Sequence, residues 1–380
     1  MIASGLPGCR HTVLTGFCLL ILALWPNVAF GNWLYFALSS AATNTAPHPG
    51  GGHRRDLTLA CDTLPGLTDE QRHICYRVPY YMPPVGLGAQ TAIWECQGRF
   101  KYERWNCTTN RGDNQTEIDI FGSTLDTGNK EAAFLQAITS AGVAFSITKA
   151  CSNAQLFDCS CDNTYRGSYK GPNNENWVWG GCSDNVRHGI KFAKEFLDKK
   201  EQSAFKQSKD AIHLVNIHNN KVGRGVLEMQ MRRQCKCHGI SGSCELKSCW
   251  NAMPKFEDVG EFVKSRYDRF AVQVAKRAKK RLRRKDKSKR KIPIQDMELV
   301  YLQRSPNYCE PDERLGIIGT RGRECNKTSL QEDGCNNLCC GRGHDTKIVE
   351  RQERCKCKFV WCCNVKCKLC VNQVEVTTCK

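Results

Sequence analysis

Apolar positions along this chain fall into three successive patterns. The first is a short continuous run. Val13 to Trp25 is apolar apart from Thr15 and Gly16, follows Arg10 and His11, and stops at Pro26. A run of this length, with small residues at Ala29 and Gly31, predicts a secretory signal peptide over residues 1–31 and Asn32 as the first mature residue. A signal anchor is the competing reading. No later stretch approaches the ~18 uninterrupted apolar residues of a membrane span, so no transmembrane helix is expected.

The second pattern has helical period. Phe134, Ile138, Ala141 and Phe145 recur at i, i+4, i+7 and i+11, and Val186, Ile190, Ala193 and Leu197 repeat that spacing behind Asp184, the expected N-cap. Phe256, Val259, Val263 and Phe270 mark a further helix, and residues 88–105 are another candidate. These stripes predict a helical-bundle core for an N-terminal domain over 32–275. The third pattern, over 292–380, has short apolar runs between turn signals such as Ser305-Pro306-Asn307 and Gly341-Arg342-Gly343. In Glu353–Cys370 charge and sulfur alternate on the flanks of an apolar middle. This predicts a two-stranded hairpin over 355–370, with Phe359, Val360, Trp361, Cys362 and Cys363 at its tip. A large aromatic exposed at a tip marks a contact surface; the alternative is that Trp361 folds back into a small core. The fold class expected is therefore α+β, a helical N-terminal domain followed by a small disulfide-rich β-hairpin domain.

Cysteine changes the picture next. Of 26 cysteines, Cys9 and Cys18 leave with the signal, and the remaining 24 divide as twelve in 32–275 and twelve in 292–380. An even number in an oxidising compartment implies up to twelve disulfides rather than zinc sites. The C-terminal domain is too small to rely on its core alone.

Net charge is +18, and residues 276–291, KRAKKRLRRKDKSKRK, hold twelve Lys or Arg against one Asp. The run reads as a basic linker between the domains. Nucleic acid is not expected as a partner of a secreted chain. Sulfated glycosaminoglycans are, with Lys279, Lys280, Arg281, Arg283, Arg284 and Lys285 as the candidate contacts. A solvated loop without a partner is the plain alternative. Arg281–Arg284, RLRR, also fits a proprotein-convertase site. Sequons at Asn106, Asn114 and Asn326 are candidates for N-glycosylation.

The densest local chemistry is CKCHGISGSC, Cys235 to Cys244, followed by Cys249. Nested pairing of Cys237 with Cys244 and Cys235 with Cys249 would staple a hairpin over 235–249 with Ser241 at its tip. The outer bridge would contribute about 3 kcal/mol in the loop-entropy model. Gly239 and Gly242 would allow the positive φ of a tight turn and strip side chains from beside the hydroxyl. A bare serine on a rigid protrusion suits acylation by another enzyme. A Ser241–His238 hydrolase is the rival, but the second glycine of G-x-S-x-G comes one place early and no acid is implied for His238. A stapled turn with an idle serine is the third reading.

CKCHGISGSCELKSCW resembles the signature of the Wnt secreted signalling proteins. RFKYERWNC (99–107), CSCDNTYRG (159–167), WVWGGCSDN (177–185), LVNIHNNKVGR (214–224), SPNYCEPDERLGIIGTRGREC (305–325), GCNNLCCGRG (334–343) and ERCKCKFVWCC (353–363) extend the resemblance over 32–380. GNW after the signal, RRKDKSKRKIPI (283–294) and CKFVWCC look most like subfamily sixteen. The resemblance implies a two-domain hand whose thumb and index finger grip the cysteine-rich domain of a Frizzled receptor. It implies a monounsaturated fatty acyl group esterified to Ser241 as the covalent attachment, with no other cofactor, no metal and no enzyme activity. Receptor contacts would come from Ser241, Phe359, Val360, Trp361, Cys362 and Cys363. A low-density-lipoprotein-receptor-related co-receptor, Porcupine, Wntless, Notum and heparan sulfate proteoglycans are the further partners implied. Besides the nested hairpin it implies Cys96–Cys107, Cys151–Cys159, Cys161–Cys182, Cys309–Cys340, Cys325–Cys335, Cys339–Cys379, Cys355–Cys370, Cys357–Cys367 and a vicinal Cys362–Cys363. Cys61 and Cys75 are then left for each other. The expected location is the extracellular space and matrix, at cell surfaces.

Overall fold

The computed structural model describes residue 34, residues 61–62, 64, 66–111, 118–120, 124–170, 176–277, 281–362 and 364–380. The expected signal peptide lies outside the described residues.

Among the described residues, six helices of nine or more residues build the N-terminal part: α1 (Asp69–Arg77), α2 (Met82–Arg99), α3 (Lys130–Ser152), α4 (Val186–Ser208), α5 (Ala211–Met229) and α6 (Phe256–Phe270). Thr68 and Gln71 form a capping box that starts α1, with each side chain accepting from the other's backbone N–H. Asn129 caps α3, its Oδ1 accepting from Ala132 N at 2.7 Å. The stripe of α3 is real but narrower than its burial: Phe134, Ile138 and Ala141 are buried, and so are most residues on its other faces. α3 is the central post, with α2, α4, α5 and α6 packed around it. Backbone meets backbone where α5 crosses it. A Cβ on Gly223 would sit 1.8 Å from the Ala137 carbonyl oxygen, so only glycine fits.

The buried face of α5 is mixed: Val215, Val222, Val226 and Leu227 pack into the core, and polar side chains are buried among them. Arg224, 4 % exposed, donates to both carboxylate oxygens of Asp198 on α4 (3.0 and 2.7 Å) and to Ser140 on α3 (3.1 Å). Asn220 donates to the same Asp198 at 3.1 Å. A buried ion pair persists when its remaining polar atoms are satisfied, and these partners do that.

Strands follow the helices. β1 (Ser168–Lys170), β2 (Asn176–Trp179), β3 (Arg232–Cys237) and β4 (Lys247–Ala252) form one sheet in the order β1-β2-β4-β3, with β2 and β4 parallel. β5 (Val272–Arg277) lies between β6 (Arg281–Arg284), antiparallel to it, and β7 (Val300–Tyr301), parallel to it. The C-terminal part ends in β8 (His344–Val360) and β9 (Asn364–Cys379), one long hairpin.

The basic run is therefore not a linker. Val274 of β5, Val300 of β7 and Val215 of α5 share a buried cluster, so residues through Tyr301 belong to the helical part. Asn219 of α5 fixes β7 by donating to Val300 O (2.9 Å) and accepting from Val300 N (3.0 Å). The passage between the two parts comes after β7. It is closed by Ser305, whose hydroxyl donates to Glu131 (2.8 Å), and by Arg323, which donates to the carbonyls of Arg104 (2.9 Å) and Lys101 (3.0 Å).

Among the described residues there are eleven disulfides, and each joins a pair named above: 61–75, 96–107, 151–159, 161–182, 235–249, 237–244, 309–340, 325–335, 339–379, 355–370 and 357–367. The implied vicinal bridge is corrected: Cys362 carries a free, exposed thiol, and Cys363 lies outside the described residues.

Candidate functional site

The hairpin that carries Ser241 is longer than its cysteines suggested. β3 and β4 pair from Arg232↔Ala252 to Cys237↔Lys247, and both bridges cross this ladder or its turn. Its base is fixed to the bundle by Asp184. That carboxylate was expected to cap α4, but the cap is Asn185, whose Oδ1 accepts from His188 N at 3.3 Å. Asp184 instead accepts from Lys149 (2.9 Å) and Ser152 (2.6 Å) on α3 and from Met253 N (2.8 Å) just past β4. A buried carboxylate that takes three donors from two elements orients the whole protrusion. β2 supports one flank, where Trp177 stacks near Tyr169 (4.1 Å) and beneath the Arg233 guanidinium (3.9 Å). β1 and β2 flank residues 171–175, which lie outside the described residues.

At the tip the chain makes one tight 3-10 turn, Ile240–Gly242. Gly242 has φ +78°, as expected, but Gly239 does not: its φ is −70°. The left-handed position falls on Ser241 itself, φ 57° and ψ 25°. Gly239 is required for a different reason. A Cβ there would lie 1.9 Å from Ser243 Oγ and 2.6 Å from Ser243 O, because Gly239 N donates to that carbonyl at 2.9 Å. Two further bonds, Gly242 N to Gly239 O (2.9 Å) and Ser243 N to Ile240 O (3.1 Å), close the turn. Ser241 is exposed, and the adjacent Ile240 is 92 % exposed. A non-glycine residue held left-handed and surrounded by solvent is a strained, presented side chain.

His238 is not its base. Its Nε2 lies 2.6 Å from Ser248 Oγ on β4. Nothing recesses Ser241, so the arrangement lacks the enclosed, oriented base of a hydrolase. Among the described residues, two sulfur-rich groupings are close enough to hold an ion: Cys151, Cys159 with His188, and Cys325, Cys339, Cys379. Every sulfur in them is already in a disulfide.

The second projecting hairpin runs far beyond 355–370, taking in 344–354 and 371–379. Its register shifts between Cys355 and Lys358, where Lys356 adopts φ 47°. This is a bulge: one extra residue on β8. Its consequence is a change of face. Without it Phe359 would share a face with Cys355; with it Phe359 lies opposite Val365, on the face of Leu369 and Val371. Trp361 does not fold back into a core; it is 92 % exposed at the tip, beside exposed Phe359, Val360 and Cys362.

The basic run is split by strand alternation. Arg281 and Arg283 of β6 are exposed, as are Lys285 and Lys287 beyond it. Arg284 points inward, correcting its place among the surface contacts: it is 8 % exposed and donates to both Glu298 oxygens (2.8 and 2.6 Å) and to the carbonyls of Ile292 and Pro293. Successive strand residues face opposite sides, so a charge count cannot show this. Lys279 and Lys280 lie outside the described residues. Of the sequons, Asn326 is exposed, with its Oδ1 accepting from Thr328 N and Oγ (3.1 and 2.9 Å). Asn106 is half-buried beside the bridged Cys107, and Asn114 lies outside the described residues. No helix among the described residues is long and apolar enough to cross a membrane.

Comparison with known proteins places these features. The wnt family model matches residues 63–380. Protein Wnt-16 of Bos taurus is 41 % identical over 360 residues, 95 % of each chain, and Protein Wnt-16 of Mus musculus 40 % over 362 residues, again 95 % of each. Protein Wnt-2b of Homo sapiens is 45 % identical over 333 residues, 85 % of this chain and 80 % of that protein. Among solved structures, a chain of human WLS in complex with WNT8A superposes with a TM-score of 0.58 at 38 % identity, covering 80 % of this chain and 95 % of that one. The doubly bridged serine hairpin, the long cystine-stapled hairpin and the match along nearly the whole chain lead to one conclusion: this protein belongs to the Wnt family of secreted signalling ligands, with Wnt-16 proteins among its relatives.

Proposed function

We propose that this chain is a receptor ligand that grips the cysteine-rich domain of a Frizzled receptor at two points. One is a monounsaturated fatty acyl chain esterified to Ser241; the other is the tip formed by Phe359, Val360, Trp361 and Cys362, with Cys363 next in sequence. The observation that carries this reading is Ser241: exposed, left-handed, and held at the end of a hairpin with two disulfides. An acyl chain gains about 0.8 kcal/mol per buried CH₂. Held on a rigid stalk, it needs less ordering when a receptor groove accepts it. A second grip adds affinity without new ordering only if the spacing of the two is fixed. Asp184 and the bridges of both hairpins supply that rigidity.

The acyl group would be attached by Porcupine and could be removed by Notum. Carriage by Wntless is supported by the likeness to a structure of WLS with WNT8A. A low-density-lipoprotein-receptor-related co-receptor completes the signalling complex. Retention on heparan sulfate proteoglycans, in the matrix and at cell surfaces, rests on Arg281, Arg283 and Lys285, with Lys279 and Lys280 adjoining them in sequence. Of the two described sequons, Asn326 is the exposed one and the better placed for glycosylation. Metabolic labelling with an alkynyl fatty acid tests the reading. The label should resist neutral hydroxylamine, persist in Ser243→Ala, and be lost with receptor binding in Ser241→Ala. Full label or full receptor binding in Ser241→Ala would return the hairpin to a stapled turn.

A further inference from the structure

The long hairpin is two-faced beyond what a receptor-contacting tip requires. Ladder partners share a face, so the apolar residues Phe359, Val365, Leu369, Val371 and, near the base, Ile348 lie on one side, where Arg354 stands opposite Leu369 and Glu375 opposite Ile348. All five are exposed, Leu369 and Ile348 each at 72 %. Lys358, Lys366 and Lys368 lie on the opposite face, all exposed. From Arg354 to Val374 the chain carries five cations and no Asp or Glu. A face that is apolar toward the tip, with an aromatic end and cations around it, Arg354 included, is the pattern of a segment that lies in a bilayer interface, apolar end down and cations at the phosphates. Trp361 at the tip fits the same setting, since an indole favours the headgroup boundary.

We propose that the β8–β9 hairpin is a membrane-surface anchor. Phe359, Trp361, Val365 and Leu369 enter the headgroup–acyl boundary of an anionic phospholipid bilayer, and the lysines bind its phosphates. The charge pattern selects this occupant over a second copy of the chain, whose hairpin would bring the same uncompensated cations. The bulge at Lys356 is what makes the device: it moves Phe359 onto the apolar face. The bridges 355–370 and 357–367 hold the hairpin in shape beforehand, so insertion requires little ordering. A single acyl chain gives only marginal membrane binding, and this would be a second attachment.

The test uses the full chain, wild type and Ser241→Ala, floated with receptor-free vesicles of phosphatidylcholine alone or with about a third phosphatidylserine. Both proteins should bind the anionic vesicles, so the outcome does not depend on the acyl group. Phe359→Ser with Trp361→Ser should lower partitioning at least 10-fold on the Ser241→Ala background. Lys358→Gln, Lys366→Gln and Lys368→Gln together should lower it about 100-fold on anionic vesicles, at about 5-fold per lysine, and little on neutral ones. These residues are exposed, and unchanged circular dichroism would show that the variants fold. Three results would overturn the proposal: Ser241→Ala that does not bind anionic vesicles, hairpin variants that bind like their parent, or binding lost only in Arg281→Gln with Arg283→Gln. A concentration-dependent dimer abolished by Phe359→Ser with Trp361→Ser, without vesicle binding, would assign the face to a second copy instead.

Discussion

Gly239→Ala should open the tip of the serine hairpin while leaving the remainder of the molecule folded. The added methyl would stand 2.6 Å from the Ser243 carbonyl oxygen, a backbone atom that cannot rotate away. Either the Gly239 N–H to Ser243 bond or the whole Ile240–Gly242 turn must give. Overpacking of this kind costs about 1–3 kcal/mol. Both bridges remain, so the cost is confined to the tip and appears as local opening rather than global unfolding. The amides of Gly239, Gly242 and Ser243, which close the turn, should exchange with solvent about 5- to 150-fold faster, the range that 1–3 kcal/mol implies. Gly242→Ala is the internal control. Nothing lies within 4 Å of its added Cβ, so its cost is only that of a left-handed alanine, about 1–2 kcal/mol. Hydrogen exchange resolved over the peptide 236–248 reads the difference, and acylation of Ser241 should fall in the same order. Unaltered exchange in Gly239→Ala, or a larger effect in Gly242→Ala, would refute the reasoning.

Arg284→Gln should destabilise the protein by about 1–3 kcal/mol, because it takes the cation from the half-buried Glu298 and leaves the Ile292 and Pro293 carbonyls without their donor, whereas Arg283→Gln should be neutral in thermal unfolding and weaken heparin retention. For the same reason the RLRR segment should resist a proprotein convertase in the folded chain, since β6 is paired and Arg284 is buried; an intact band after digestion checks this. Asn219→Ala should cost about 1–3 kcal/mol in chemical denaturation, with both polar groups of Val300 left unsatisfied in the interior. Burial holds His188 and His218 below the ordinary imidazole range. The unfolded chain then binds more protons, so their contribution is complete above the unfolded value near 6.5 and is lost as pH falls below it. The melting temperature should drop between about pH 7 and pH 5, and His188→Gln with His218→Gln should flatten that slope.

Sequence by itself determined the chemistry that depends on neighbours in the chain. The helical stripes of α3, α4 and α6 were legible because apolar period survives wherever a helix buries hydrocarbon. The serine between its cysteines was legible because residues 235–249 are close in sequence and the bridges act locally. Tertiary structure decided what depends on partners remote in sequence. In α5 the buried valines are interleaved with Asn219, Asn220 and Arg224, polar residues whose burial is tolerable only because Val300 and Asp198 pair with them. Asp184 looked like a cap because the donors it serves, on α3 and after β4, lie far along the chain. Arg284 counted as one more surface charge until strand pairing turned it toward Glu298. The face of Phe359 was undecidable as well: one extra residue at Lys356 inverts it, and only the ladder with β9 shows where that residue was inserted.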